Sequence, residues 1–260
     1  MREFGLLADD WLPIIGRLEK LESLDLSAPG HASLTDKPVI ELLEKIGGGL
    51  DNLSLEDHIR LTDKVLLEGI APHCPVIRRL NMTNVADYTP PQEDDQYQKT
   101  GISNEGVAAF FQAWKKNGHD GLFVAEFNLN HDLKEDALRA LLDHSGRTLE
   151  RLDIKGWRTV SEEALNEIGT RCPNLKYLNV GWCRMLTDFT MKEILDGCEH
   201  IQTIKAWGES RERSMFFLLT AIWGLIKNNK LSSGCNKLTD SIPRKKGCRV
   251  TGIEAHAIGA

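Results

Sequence analysis

The sequence has no Cys-x-x-Cys pair, no glycine-rich phosphate loop, no apolar run long enough to cross a bilayer and no excess of positive charge. Each absence removes a class of function. The six cysteines, Cys74, Cys172, Cys183, Cys198, Cys235 and Cys248, stand singly, so a zinc site is not expected. Nothing resembles the loop that cradles nucleotide phosphates. The eight histidines, His58, His119, His131 and His144 among them, share no motif with a nucleophile or a metal ligand. No catalytic residue, cofactor or small-molecule substrate is therefore expected. The apolar run from Met215 to Ile226 is too short to span a membrane. At the N-terminus Asp9 and Asp10 interrupt the charged-then-apolar order of a signal peptide. Single thiols without a secretory leader read as reduced, in the cytosol or nucleus. Net charge is −6 and the pI about 5.8, so a global basic footprint for nucleic acid is missing and DNA affinity is expected to be weak.

What the sequence does have is a period. Cys172, Leu175, Leu178 and Val180 set a spacing that Cys198, Ile201, Ile204 and Ala206 repeat 26 positions later. Within each core, alternation by one and two residues is that of a short strand. Met191, Ile194 and Leu195, further on, recur at helical spacing. A strand, a turn and a helix per copy, with an L-x-x-L-x-L core, predict a right-handed α/β leucine-rich-repeat solenoid. Its parallel sheet would line the concave face of a horseshoe, with helices outside, because no single copy can bury its own apolar face.

Seven strand starts follow from this spacing: Leu21, Leu50, Ile77, Val124, Leu149, Leu175 and Ile201, at steps of 29, 27, 47, 25, 26 and 26. A Leu-Thr-Asp signature recurs at 34–36, 61–63, 186–188 and 238–240, and its Asp or Thr is suited to cap the helix that follows. Residues 1–20 read as the helix of a truncated preceding repeat, and 21–208 as the repeats proper. The long step is caused by 86–101, an acidic, proline-bearing loop insertion. Cys74, Cys172 and Cys198 stand in one register, which makes them a buried column.

Outward strand positions fall into three columns. The first is Ser23, Asn52, Arg79, Glu126, Arg151, Tyr177 and Thr203; the second is Asp25, Ser54, Asn81, Asn128, Asp153, Asn179 and Lys205; the third is Ser27, Glu56, Thr83, Asn130, Lys155, Gly181 and Trp207. Mixed charge and frequent amides suit a protein partner better than DNA. Trp157, Trp182 and Trp207 follow three successive strands, among Arg151, Lys155, Arg158 and Arg184, with Tyr177 on the face beside them. Trp and Arg are enriched at binding hot spots, so these eight residues form the expected protein-binding rim. The alternative is that the tryptophans pack under the turns as structural spines.

Residues 209–234 break the period. Joining Gly208 to Cys235 restores Ala-Trp-Gly-Cys-Asn-Lys-Leu-Thr-Asp in register with the preceding copy. Gly208-Glu209-Ser210 admits codons containing a splice donor, and Ser233-Gly234 admits an acceptor that keeps the frame. The segment reads as a translated intron, with a genuine loop insertion as the alternative. Residues 235–260 then supply a last repeat turn and a C-terminal cap.

The Cys-x-x-Leu-x-x-Leu-x-Leu core with its Cys-x-x-Leu-Thr-Asp turn resembles the cysteine-containing leucine-rich repeats of F-box ubiquitin-ligase receptors. NVGWCRMLTD, GCEHIQTIKAWG and GCNKLTD are similar to the C-terminal repeats of the fungal leucine-rich-repeat DNA repair family of global-genome nucleotide excision repair. That resemblance implies a nuclear, non-enzymatic recognition subunit. Its partners would be a Swi2/Snf2-type ATPase and a cullin- and elongin-containing ligase, with an association with damaged DNA. A substrate receptor in another ubiquitin pathway, a direct damaged-DNA binder and an enzyme regulator on the same scaffold are the other readings.

Overall fold

The computed structural model describes residues 9–27, 34–85, 101–206 and 249–251. Three-residue strands alternate with helices: α1 (Leu12–Ile15), β1 (Ser23–Asp25), α2 (Asp36–Ile46), β2 (Asn52–Ser54), a wide helical turn (Val65–Ile70) running into α3 (Ala71–His73), β3 (Arg79–Asn81), α4 (Asn104–Lys116), β4 (Val124–Glu126), α5 (Glu135–Ser145), β5 (Arg151–Asp153), α6 (Glu162–Arg171), β6 (Tyr177–Asn179), α7 (Asp188–Gly197), β7 (Thr203–Lys205) and β8 (Arg249–Thr251). All eight strands form one parallel sheet in strict chain order. A helix occupies about 10 Å of width and a strand about 4.8 Å, so stacking such units fans the helices outward and leaves the sheet on the inner, concave face.

The core follows the period. Leu24, Leu53, Leu80, Ala125, Leu152, Leu178 and Ile204 sit side by side through the sheet and are all buried. Ala125 is the small member of that row. Two residues on, Phe127 packs against Phe111 of α4, with ring centroids 5.8 Å apart. The cysteine column is buried as the spacing requires. Burial pushes the thiols of Cys74, Cys183 and Cys198 up to about 12 and raises that of Cys172 as well. Gly47 and Gly146 occupy the same column, where a Cβ on Gly47 would lie 2.8 Å from the Cys74 sulfur.

The fourth strand corrects the register read from the sequence. Val124 pairs with both Arg79 and Arg151, so the buried strand start is Leu122, not Val124. In Leu122-Phe123-Val124-Ala125-Glu126-Phe127 two apolar phases overlap, and the outward Val124 mimics an inward residue. The columns shift accordingly: Val124 joins the first, Glu126 the second and Asn128 the third. Asn130 leaves the concave face altogether and is fully buried. A further strand, β8, pairs with β7 through Thr203 and Arg249, so the sheet resumes beyond the segment that breaks the period. That segment, 209–234, and the acidic insertion up to residue 100 lie outside the described residues.

Of the Leu-Thr-Asp copies, Thr187 caps its helix through its side chain and Thr35 does not. Ser103, Ser161 and Thr187 are N-caps whose side chains accept from Gly106, Ala164 and Thr190. The acidic residue reaches forward to the next repeat. Asp36 accepts the Thr62 N–H at 2.8 Å and its hydroxyl at 2.6 Å, and Asp63 does the same for Ser103 at 2.7 and 2.6 Å. Asn104 takes the Lys134 N–H, and Glu162 the Thr187 hydroxyl. Asp9 clamps Thr35 in the same way, at 3.0 and 2.7 Å. Asp9 therefore makes to Thr35 the bonds that Asp36 makes to Thr62 and Asp63 to Ser103.

Between α4 and α5 the helical layer holds a ring cluster. Trp114 stacks on His119 with centroids 4.0 Å apart, and His144 lies 5.5 Å from Trp114. The Nε2 atoms of both histidines are buried without a hydrogen-bond partner among the described residues. Burial, then His119 and Lys115, lowers the His144 pKa to about 4; burial, then Arg78, lowers that of His119. Unfolding lets these rings take up protons below pH ~6.5 that the native core refuses until far lower, so stability falls as the pH drops through that window. After allowance for the partial exposure of His144, its share is about 2 kcal/mol. The urea midpoint should fall between pH 7.5 and pH 5, and His144→Leu should remove much of the fall. Identical pH dependence in both proteins would contradict this. Among the described residues no helix is long and apolar enough to cross a membrane.

Candidate functional site

Four of the eight strands, β1, β3, β5 and β6, end the same way. At the third residue a short Asp or Asn accepts the N–H two residues on: Asp25 from Ser27, Asn81 from Thr83, Asp153 from Lys155 and Asn179 from Gly181. This turn-forming bond stops the strand. The chain then passes through a left-handed residue at one equivalent place per repeat: Asp57 (φ 68), Asn84 (φ 53), Leu129 (φ 63), Gly156 (φ 88) and Trp182 (φ 65).

The next residue is buried and, in four of five repeats, donates to a backbone carbonyl one repeat back. His58 Nε2 lies 2.6 Å from the Leu26 carbonyl, Asn130 Nδ2 2.8 Å from Met82, Trp157 Nε1 2.8 Å from Phe127 and Cys183 Sγ 3.5 Å from Ile154. Val85 holds the fifth place with an apolar side chain. Trp157 is thus a correction to the expected rim. Its relative exposure is 0%, and its indole is a core donor with no surface for a partner. Trp182 stands one residue earlier in its repeat, at the left-handed position, and is half-buried. The two tryptophans that look equivalent in sequence are one register apart, and only Trp182 reaches the surface. Trp207 lies outside the described residues.

Of the remaining predicted residues, Arg151 and Tyr177 meet on β5 and β6. The Arg151 guanidinium lies 3.7 Å from the centroid of the Tyr177 ring and its Nε 2.6 Å from Glu126. Burial opposes the Arg151 charge, but the Glu126 hydrogen bond and charge override it and raise its pKa. Lys205 Nζ approaches the same ring at 5.5 Å. Lys155 and Arg158 are half-buried on the β5 turn, and Arg184 is exposed beyond Trp182. Exposed Met185 adds apolar surface beside it.

The amides of the concave face are engaged with their neighbours. Asn52 donates to Ser23, Asn81 to Glu56, Asn84 to Asp57, Asn128 to Thr83 and Asn179 to Asp153, each bond running back one repeat at 2.7–3.0 Å. Asparagine frequency here reports repeat-to-repeat stitching rather than spare hydrogen-bonding capacity, contrary to the sequence-based reading. Burial pushes the Asp153 carboxyl up despite the Asn179 bond. Among the described residues no group of three His, Cys, Asp or Glu side chains is placed to hold a metal ion.

One helix per parallel crossover, a fixed turn column and clamps between successive repeats define a leucine-rich-repeat solenoid with an open concave sheet. Two fungal DNA repair proteins are among the relatives of this chain. It is 30% identical over 205 residues to DNA repair protein rhp7 of Schizosaccharomyces pombe, covering 78% of this chain and 33% of that protein. It is 25% identical over 194 residues to DNA repair protein RAD7 of Saccharomyces cerevisiae, covering 74% and 32%. The chain therefore spans about a third of the length of these relatives. No protein-family model matches it. Among solved structures, a chain of the yeast Rad7 and Elc1 complex superposes with a TM-score of 0.56 at 23% identity, over 70% of this chain and 42% of that one, a likeness of fold.

Proposed function

We propose that this chain is a non-enzymatic protein-binding scaffold that recognises partners or substrates within a ubiquitin-ligase-linked nucleotide excision repair complex in the nucleus. The observation that carries the reading is the similarity to the two fungal repair proteins across some three quarters of the chain. The solved fold neighbour comes from a complex with Elc1, which supports an elongin-type protein and its cullin ligase as the assembly. A Swi2/Snf2-type ATPase is the further partner. The contact surface is the rim of Arg151, Lys155, Arg158, Tyr177, Trp182 and Arg184. Trp182 and Arg184 are its anchors, because a half-buried indole and an exposed guanidinium two residues on are the side-chain types enriched at binding hot spots.

The test is co-purification of the full chain with the ATPase and with the elongin-type subunit, wild type against Trp182→Ala/Arg184→Ala. The double variant should keep its circular dichroism spectrum and lose at least tenfold in capture of the ATPase, as hot-spot truncations do. Full capture by a folded double variant would remove the rim from the interface.

A further inference from the structure

The concave face is graded in charge from one end to the other, and its charges are positioned mostly by neutral partners. Toward the first repeats stand Asp25, Glu56 and Asp57. Glu56 is held by the Asn81 amide at 2.9 Å and Asp57 by the Asn84 amide at 2.7 Å, while Asp25 accepts the Ser27 backbone N–H. An amide fixes a carboxylate without cancelling its charge. Arg79 in this region is paired with Asp51 at 3.5 Å, and exposed Arg60 offsets part of the field. Toward the last repeats the sign reverses around one carboxylate, the buried Asp153 that the Asn179 amide holds at 3.0 Å. Lys205 is steadied by the Tyr177 ring, Arg151 shares that ring with its ion pair to Glu126, and Lys155, Arg158 and Arg184 follow along the turns. A cation held over an aromatic face keeps its formal charge.

We infer that this trough takes an elongated polypeptide segment of opposite grading, basic where it meets β1 and β2 and acidic where it meets β5–β7. The inference rests on the scaffold reading above and specifies the partner's chemistry. From β1 to β7 there are six strand spacings, about 29 Å, which an extended segment of roughly nine residues spans. Duplex DNA is the poorer fit. The basic stretch is three strands wide, about 10 Å between its outer strands, and a rod continuing along the same trough would bring its phosphates onto Asp25, Glu56 and Asp57. Complementary grading also fixes direction: a segment laid in reverse sets like charges against each other at both ends.

The experiment uses the full chain and fluorescein-labelled peptides. One carries three lysines, a Ser-Gly-Ser-Gly spacer and three glutamates; a second carries the same residues with the charges alternating. At about 0.15 M salt the block peptide should bind at least fivefold more tightly than the alternating one. Lys205→Glu/Arg184→Glu should weaken the block peptide at least tenfold, and Glu56→Lys/Asp57→Lys should do so independently, each with an unchanged circular dichroism spectrum. Equal affinity for the two peptides overturns the inference, as does indifference to both pairs of reversals. Tighter binding of a duplex of about 20 base pairs than of the block peptide overturns it in favour of nucleic acid. If the ATPase is captured through Trp182 and Arg184 while the peptides show no preference, the grading falls and the scaffold reading stands. If capture fails while the block peptide is preferred, the partner named above is wrong and the trough stands.

Discussion

Trp157→Ala is expected to lower the free energy of unfolding by about 3–5 kcal/mol, the range for truncating a fully buried tryptophan. That is a large part of the 5–15 kcal/mol that holds a typical domain together. The ring fills the space under the fifth turn, and its Nε1 satisfies the Phe127 carbonyl, which also accepts from Asn130 at 2.9 Å. Trp157→Phe keeps much of the volume and removes the bond, and should cost about 1–3 kcal/mol. Trp182→Ala should stay within about 1 kcal/mol, because that ring is half exposed and its left-handed backbone suits a smaller residue no worse. Urea melts of the three variants separate the roles. If Trp182→Ala collapsed the fold and Trp157→Ala melted like wild type, the placement of the two indoles would be the reverse of that described.

The second large effect concerns residues 209–234. We propose, as the sequence reading has it, that this stretch is a translated intron. β8 pairs with β7 on the far side of the stretch, as both an intron and a loop insertion require. Deleting it to join Gly208 to Cys235 should raise the melting temperature by roughly 5 °C, a gain of a kcal/mol or two for a chain this long. It should also suppress aggregation, because the apolar run Met215 to Ile226 is removed. Mature transcripts should lack the segment. Genomic DNA without the splice sites, or a deletion variant that no longer folds, would refute the proposal and leave a true loop insertion.

The period made most of the fold legible. Buried strand positions, the cysteine column and the helical segments after the Leu-Thr-Asp copies at 34–36, 61–63 and 186–188 follow from residue type and spacing alone, because a solenoid repeats one environment many times. Legibility failed where two phases overlapped. Val124 is apolar but faces outward, and the insertion before it removed the neighbouring count that would have exposed the slip of two residues. The candidate site was half legible. Arg151, Tyr177 and Lys155 lie on the concave side as the alternation requires, and Arg158 and Arg184 lie on the turns. Trp157 was misassigned because Gly156 takes the left-handed place in its repeat, whereas Trp182 takes that place itself. Aligning Asp153 with Asn179, the turn-forming residues, would have revealed that offset. The charge grading was hidden because each column, read singly, looks mixed.

The buried donor after each turn also has an evolutionary side. Histidine, asparagine, tryptophan and cysteine perform the same task in four repeats, with an imidazole, an amide, an indole and a thiol each directed at the carbonyl one repeat behind. What those four repeats share is a bond and not a side chain. The position can drift among chemically unlike residues while the geometry stays fixed, and Val85 shows that one repeat tolerates doing without it. In such a chain the spacing of the columns carries the fold even where the identity of their members differs from repeat to repeat.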